Sequence, residues 1–150
     1  MALPIIPGPN NQLITASATP VYGSTANYTQ TTQGSITIAT GGSFPKNVVS
    51  ASITTYGNPV LVMCSGDANP LVDGTWGIIQ LYRGSTALGQ TIQYESDVAN
   101  ENVPYSISCV DPVAAGTYTY YLKVNDMAGG NTQFGEDSGP NLILTELSRV

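Results

Sequence analysis

Residues 117–124 read TYTYYLKV. The stretch sets Tyr118, Tyr120, Leu122 and Val124 on one side, against Thr117, Thr119, Tyr121 and Lys123 on the other. A period of two is the mark of a half-buried β-strand, because successive side chains of an extended backbone point to opposite faces. Turn residues bound it: Asp111-Pro112 and Gly116 before, Gly129-Gly130 after. Upstream, residues 105–110 (YSISCV) place Tyr105, Ile107 and Cys109 opposite Ser106 and Ser108. Residues 86–94 (TALGQTIQY) and 76–83 (WGIIQLYR) form a strand pair joined by the tight turn Gly84-Ser85. Residues 60–64 (VLVMC) are a continuous apolar run, as expected of a strand in a sandwich core. Residues 48–55 (VVSASITT) and 35–40 (SITIAT) alternate again. Downstream, residues 141–147 (NLILTEL) set Leu142, Leu144 and Glu146 opposite Ile143, Thr145 and Leu147. No window carries apolar residues at helical spacing for more than a turn. The reading is an all-β protein of about eight strands, spaced as in a sandwich or barrel.

The first 33 residues differ. They carry Pro4, Pro7, Pro9 and Pro20 and little alternation, which favours extended, loop-like backbone. We read residues 1–33 as an arm and residues 34–150 as the folded domain. The arm holds Leu3, Ile5, Ile6, Leu13, Ile14, Val21, Tyr22 and Tyr28, apolar side chains that need a surface to cover. The N-terminus lacks a basic region before its short, proline-broken apolar run and makes a poor signal peptide. No apolar run approaches the roughly 20 residues of a membrane helix.

Charge sharpens the division. Of 150 residues, 4 are basic and 10 acidic, with no histidine and a net charge of −6. Up to Gly66 the only charged side chain is Lys46, and all ten carboxylates lie from Asp67 onward. Missing histidine excludes imidazole acid–base chemistry and histidine metal sites. Four scattered cations on an acidic chain lack the footprint of a nucleic-acid binder.

Each candidate for chemistry has a plainer reading. Asp67, Asn69 and Asp73 in DANPLVDG hint at a calcium loop, but the spacing departs from the EF-hand pattern, and an Asx-rich turn is preferred. Glu95, Asp97 and Glu101 share one loop; paired carboxylates can hydrolyse glycosides, but a solvated loop is preferred. No nucleophile elbow, phosphate loop or dinucleotide motif is present, so no catalytic residue, metal or cofactor is assigned. Cys64 and Cys109 read as buried free thiols, with a disulfide between neighbouring strands as the alternative. Trp76 reads as a core anchor, and Arg83 as the partner of a loop carboxylate. The nine tyrosines read as core or subunit-interface residues before a sugar-binding face.

The segments QLYRGSTALG, NENVPYSISCVD and AGTYTYYLKV, with the closing strand NLILTEL, resemble phage virion proteins with a tumour-necrosis-factor-like or C1q-like jelly roll. The resemblance spans residues 60–147. It implies a jelly-roll β-sandwich, a homotrimer and a virion role, either as capsid cement or decoration protein or as a head fibre. The corresponding expectation is a trimer on the outer capsid surface of a particle assembled in the host cytoplasm. The arm then contacts the major capsid protein, and Tyr118, Tyr120, Tyr121, Leu142 and Leu144 contact sister subunits. The alternative is a receptor-binding head or short tail fibre that recognises a host glycan through loops such as residues 95–103. A membrane or nucleic-acid partner is not expected.

Overall fold

The computed structural model describes residues 27–147. They form ten strands and no helix: β1 (Tyr28–Thr32), β2 (Ile36–Ile38), β3 (Lys46–Tyr56), β4 (Val60–Pro70), β5 (Thr75–Arg83), β6 (Thr86–Ser96), β7 (Val103–Asp111), β8 (Ala115–Ala128), β9 (Thr132–Phe134) and β10 (Asn141–Glu146). All pairings are antiparallel.

The ten runs reduce to the eight strands expected. One edge of β4 pairs with β10 over its first half and with β9 at its end, while β7 takes the other edge. β1 lies outside β10, and β2 lies outside β9. Residues 28–38 and 132–146 therefore each act as one broken strand. Counted so, the two sheets run 1-8-3-6 and 2-7-4-5, the order of a jelly roll built from two Greek keys. The break in the last strand is residues 135–140, a bulge loop folded over the outside of β4. Asp67 holds it, its backbone carbonyl accepting from Gly135 N–H (3.0 Å) and its carboxylate from the N–H groups of Glu136 (3.1 Å) and Ser138 (2.6 Å).

The strand phases fall as the alternation predicts. Tyr120, Leu122 and Val124 of β8 point inward with Val60 and Val62 of β4, Ile79 and Leu81 of β5, and Leu142 and Leu144 of β10, all fully buried. Each such aliphatic side chain contributes about 1.5–3 kcal/mol by leaving water. Tyr94 and Tyr105 meet Phe134 edge-on, at centroid distances of 5.6 and 6.1 Å. The β5–β6 hairpin turns on Gly84-Ser85, where Gly84 alone has positive φ (58°), as a two-residue type II′ turn requires.

One boundary moves. Residues 28–32, assigned to the arm by sequence, are an edge strand paired with β10 in register Tyr28↔Thr145 to Thr32↔Asn141. Thr and Gln on a half-exposed edge strand give little hydrophobic alternation, so the signal was absent although the hydrogen-bond ladder forms.

Candidate interaction surfaces

The register places four strands side by side on the outer face of the six-stranded sheet. One row across it is Tyr28, Thr145, Leu61 and Val110; the next is Gln30, Ile143, Met63 and Ser108; the third is Thr32, Asn141, Ser65 and Ser106. None of these side chains is charged. Tyr28 (58%), Val110 (55%) and Met63 (39%) are among the most exposed large hydrophobics of the described residues. Around them Gln30 Nε2 donates to Asn141 Oδ1 (2.9 Å) and Thr32 donates to the same oxygen (3.3 Å). An apolar centre with a neutral polar rim is the composition of a protein interface.

The outer face of the four-stranded sheet is of another kind. Trp76, Ile78, Gln80 and Tyr82 of β5 lie beside Thr117, Thr119, Tyr121 and Lys123 of β8, with Ser52, Thr54 and Tyr56 of β3 beyond. The Lys123 ammonium sits 4.7 Å from the ring centres of both Tyr82 and Tyr121 and donates to Gly84 O. Tyr82 donates to Asn125 Oδ1 (2.8 Å), and Asn125 Nδ2 to Gln80 Oε1 (2.7 Å). Ser52 meets Thr119, and Thr54 meets Thr117, through hydroxyl pairs at 2.8 and 2.9 Å. This face offers fixed aromatic rings, amides and hydroxyls, groups that can pack on and hydrogen-bond to a polyol.

Three carboxylates are buried pins. Glu146, 2% exposed, closes the end of the sandwich where the described chain begins. Its Oε1 accepts from the Thr55 hydroxyl (2.6 Å), Tyr56 N–H (2.7 Å), and the Asn58 side chain (3.0 Å) and N–H (3.3 Å), and its Oε2 from Asn27 Nδ2 (3.0 Å). Burial alone would raise this carboxyl, but the bonds from Thr55, Tyr56 and Asn58 outweigh it and hold it below the ordinary glutamate range. Asp111, 4% exposed, accepts from Arg83 Nη1 at 2.9 and 2.8 Å and from the Tyr120 hydroxyl at 2.8 Å. Burial and the neighbouring Asp111 carboxylate push the Tyr120 hydroxyl up. Asp67 is the third, capping the bulge loop.

The expected site residues therefore divide. Leu3, Ile5, Ile6, Leu13, Ile14, Val21 and Tyr22 lie outside the described residues. Tyr28 is exposed on the sandwich rather than on an arm. Tyr120, Leu142 and Leu144 are fully buried between the sheets, which corrects their expected place at a subunit interface: their alternation marked the core. Tyr118 packs half-buried against that core under Arg83, and Tyr121 alone of the five faces outward. Trp76 stands half-buried on the outer face rather than in the core. Arg83 pairs with Asp111 at the end of β7, not with the loop of residues 95–102. In that loop Glu95, Asp97 and Glu101 are exposed; Glu101 accepts from Ser96 (2.8 Å) and Glu95 from Gln93 (3.3 Å). Asp73 caps Ala99 N–H (2.7 Å), whereas Asp67 and Asn69 lie in β4 and not in the turn expected of them. Cys64 and Cys109 are free, and burial pushes the Cys64 thiol up to about 12. No helix of the described residues is long and apolar enough to cross a membrane.

No family model and no curated protein matches the chain. Two of the solved structures similar to it in part serve as examples. One is the CBM36-1 domain of a multidomain xylanase from the hindgut metagenome of Trinervitermes trinervoides. It is 13% identical, with 78% of this chain and 100% of that chain covered and a TM-score of 0.41. The other is the enzymatically active domain of bacteriophage CBA120 tailspike protein 4. It is 17% identical, with 83% of this chain and 20% of that chain covered and a TM-score of 0.26. Likeness of this degree says nothing about the ligand or activity of this chain.

Proposed function

We propose that this chain is a structural virion protein, a homotrimeric capsid cement or decoration protein that binds the outer shell through residues 1–26. The observation that carries this reading is the uncharged three-row patch on the outer face of the six-stranded sheet, with Tyr28, Met63 and Val110 exposed in adjoining rows. A neutral, apolar-centred sheet face suits burial against a sister subunit or a shell protein, since no charge is stripped of water. Closed three-fold symmetry would hold three attachment segments together, so weak single contacts add multivalently.

The test has two arms. Met63→Glu with Val110→Glu places two charges on that face, with neither side chain in the core. The expected result is a folded monomer by light scattering where the parent is a trimer. Deleting residues 2–26 leaves β1 intact and is expected to give a folded trimer that no longer decorates capsids. A parent that is monomeric, or a truncated protein that binds shells at full occupancy, overturns the proposal.

A second reading, a receptor-binding head for a host glycan, is favoured by Trp76, Tyr82 and Tyr121 with Gln80 and Asn125 on the opposite face. It moves the recognition site from the loop of residues 95–103 to the sheet. Saturable glycan-array binding that is lost in Tyr82→Ala supports it.

A further inference from the structure

The bulge loop carries a feature that its structural role leaves unused. Asn69 is fully buried, and its Nδ2 donates to Glu136 Oε2. Asn102 Nδ2 donates to Asp137 Oδ2 at 2.7 Å. The two asparagines are neighbours on the same outer face. The last ladder pair is Ala68↔Val103, and Asn69 and Asn102 stand one residue beyond it. Both amide oxygens, Asn69 Oδ1 and Asn102 Oδ1, are buried and have no hydrogen-bond partner. A buried amide oxygen left unpaired costs about 1–3 kcal/mol. Two such oxygens beside two consecutive carboxylates need an explanation.

Charge points the same way. Asp67, Glu136 and Asp137 gather at one loop. The basic side chains of the described residues are engaged elsewhere: Lys46 with Ala39 and Gly41 carbonyls, Arg83 with Asp111, and Lys123 with Gly84. No three acidic, histidine or cysteine groups among the described residues form a ready metal cluster, and Asp67 accepts from backbone N–H groups.

We propose that this loop binds a hard divalent cation of calcium size. Its ligands are the amide oxygens of Asn69 and Asn102 and the free carboxylate oxygens of Glu136 and Asp137, with water completing the shell. Calcium takes carboxylate, amide and water oxygens together, and sites with few charged ligands bind in the 10⁻⁴–10⁻³ M range. The cation would fasten the bulge loop to β4 and β7.

The test is calorimetric titration of the EDTA-treated full chain with CaCl₂, beside thermal melts with CaCl₂ or MgCl₂. The expected result is saturable calcium binding and a melting temperature that rises with calcium more than with magnesium. Glu136→Gln with Asp137→Asn should fold, since both side chains are exposed, and should weaken calcium binding at least about tenfold. Glu95→Gln with Asp97→Asn, which removes as much charge outside the loop, should bind as the parent does. The proposal is overturned by the absence of saturable binding up to about 10 mM, above the range cited. It is equally overturned if calcium and magnesium act alike, or if both double variants respond as the parent does; either result means screening of the net negative charge.

Discussion

Replacing Glu146 by Gln tests whether one carboxylate closes the end of the sandwich. Four donors converge on Oε1, and the two shortest bonds, from the Thr55 hydroxyl at 2.6 Å and Tyr56 N–H at 2.7 Å, join β10 to the end of β3. A hydrogen bond to a charged group contributes about 1.5–3 kcal/mol, and a neutral one about 0.5–1.5. Glutamine keeps an oxygen for those donors but loses the charge, a loss of about 1 kcal/mol for each of the two strong bonds. Its new NH₂ group also faces Asn27 Nδ2, a donor against a donor. The expected destabilisation is about 2–3 kcal/mol, a fall in Tm of roughly 6–15 °C for a domain of this size. The pH dependence gives an independent check. The folded carboxyl titrates below the ordinary value of 4.5, so its contribution is present above that pH and lost as pH falls through the folded value. The Tm gap between parent and variant, measured by calorimetry, should therefore be widest near pH 7 and narrow below about 4.5. An unchanged Tm at pH 7 refutes the cage, and a gap that stays constant down to pH 3 refutes the role of the charge.

Two further substitutions probe the interior. Asp111→Asn removes the charge that Arg83 and Tyr120 share and should cost about 2 kcal/mol in urea denaturation. Tyr120→Phe should cost about 1 kcal/mol, and the double variant should cost less than the sum, because both changes break the same bond; full additivity contradicts the triad. Gly77→Ala puts a methyl group into the ring of Tyr94, which lies directly over the glycine. It should cost about 1–3 kcal/mol by overpacking, and a Tm equal to the parent's refutes that packing.

The strands were legible because one face of each meets the core. TYTYYLKV and NLILTEL show inward and outward residues in the order that the sheets then use. The break in the last strand was not legible, since nothing local in residues 135–140 (GEDSGP) says that they lie over β4. β1 was missed because a neutral edge strand owes its place to backbone hydrogen bonds rather than to burial. Tyrosine misled for a physical reason: Tyr120 is buried with its hydroxyl on Asp111, whereas Tyr121, one residue on, faces out over Lys123. The local alternation puts the two on opposite faces, but which face meets the core is decided by strands distant in sequence. The bulge-loop cluster drew on the same long-range pairing: Asn69 and Asn102 are 33 positions apart and become neighbours only through the β4–β7 ladder.

The net charge of −6 now has structure. Asp67, Asp111 and Glu146 are interior pins, so they speak to folding and not to a partner. The other seven carboxylates, Asp73, Glu95, Asp97, Glu101, Asp126, Glu136 and Asp137, are exposed. Five sit where β4, β6 and β8 end and β5 and β7 begin, which backbone bonds such as Asn100 N–H to Pro70 O and Leu71 N–H to Asn131 O place at one end of the sandwich, and Glu136 and Asp137 reach Asn69 and Asn102 at that end from the bulge loop. Asn27, where the described chain begins, bonds to Glu146 at the opposite end, beside the row of Tyr28, Leu61 and Val110. The molecule is thus polar along its strands, acidic at one end and neutral at the other. A protein that hydrates one end and buries the other against a larger body needs that asymmetry, because exposed carboxylates keep water and a neutral face gives it up at little cost. On the proposed reading, attachment at the neutral end and an acidic end facing solvent follow from one charge distribution.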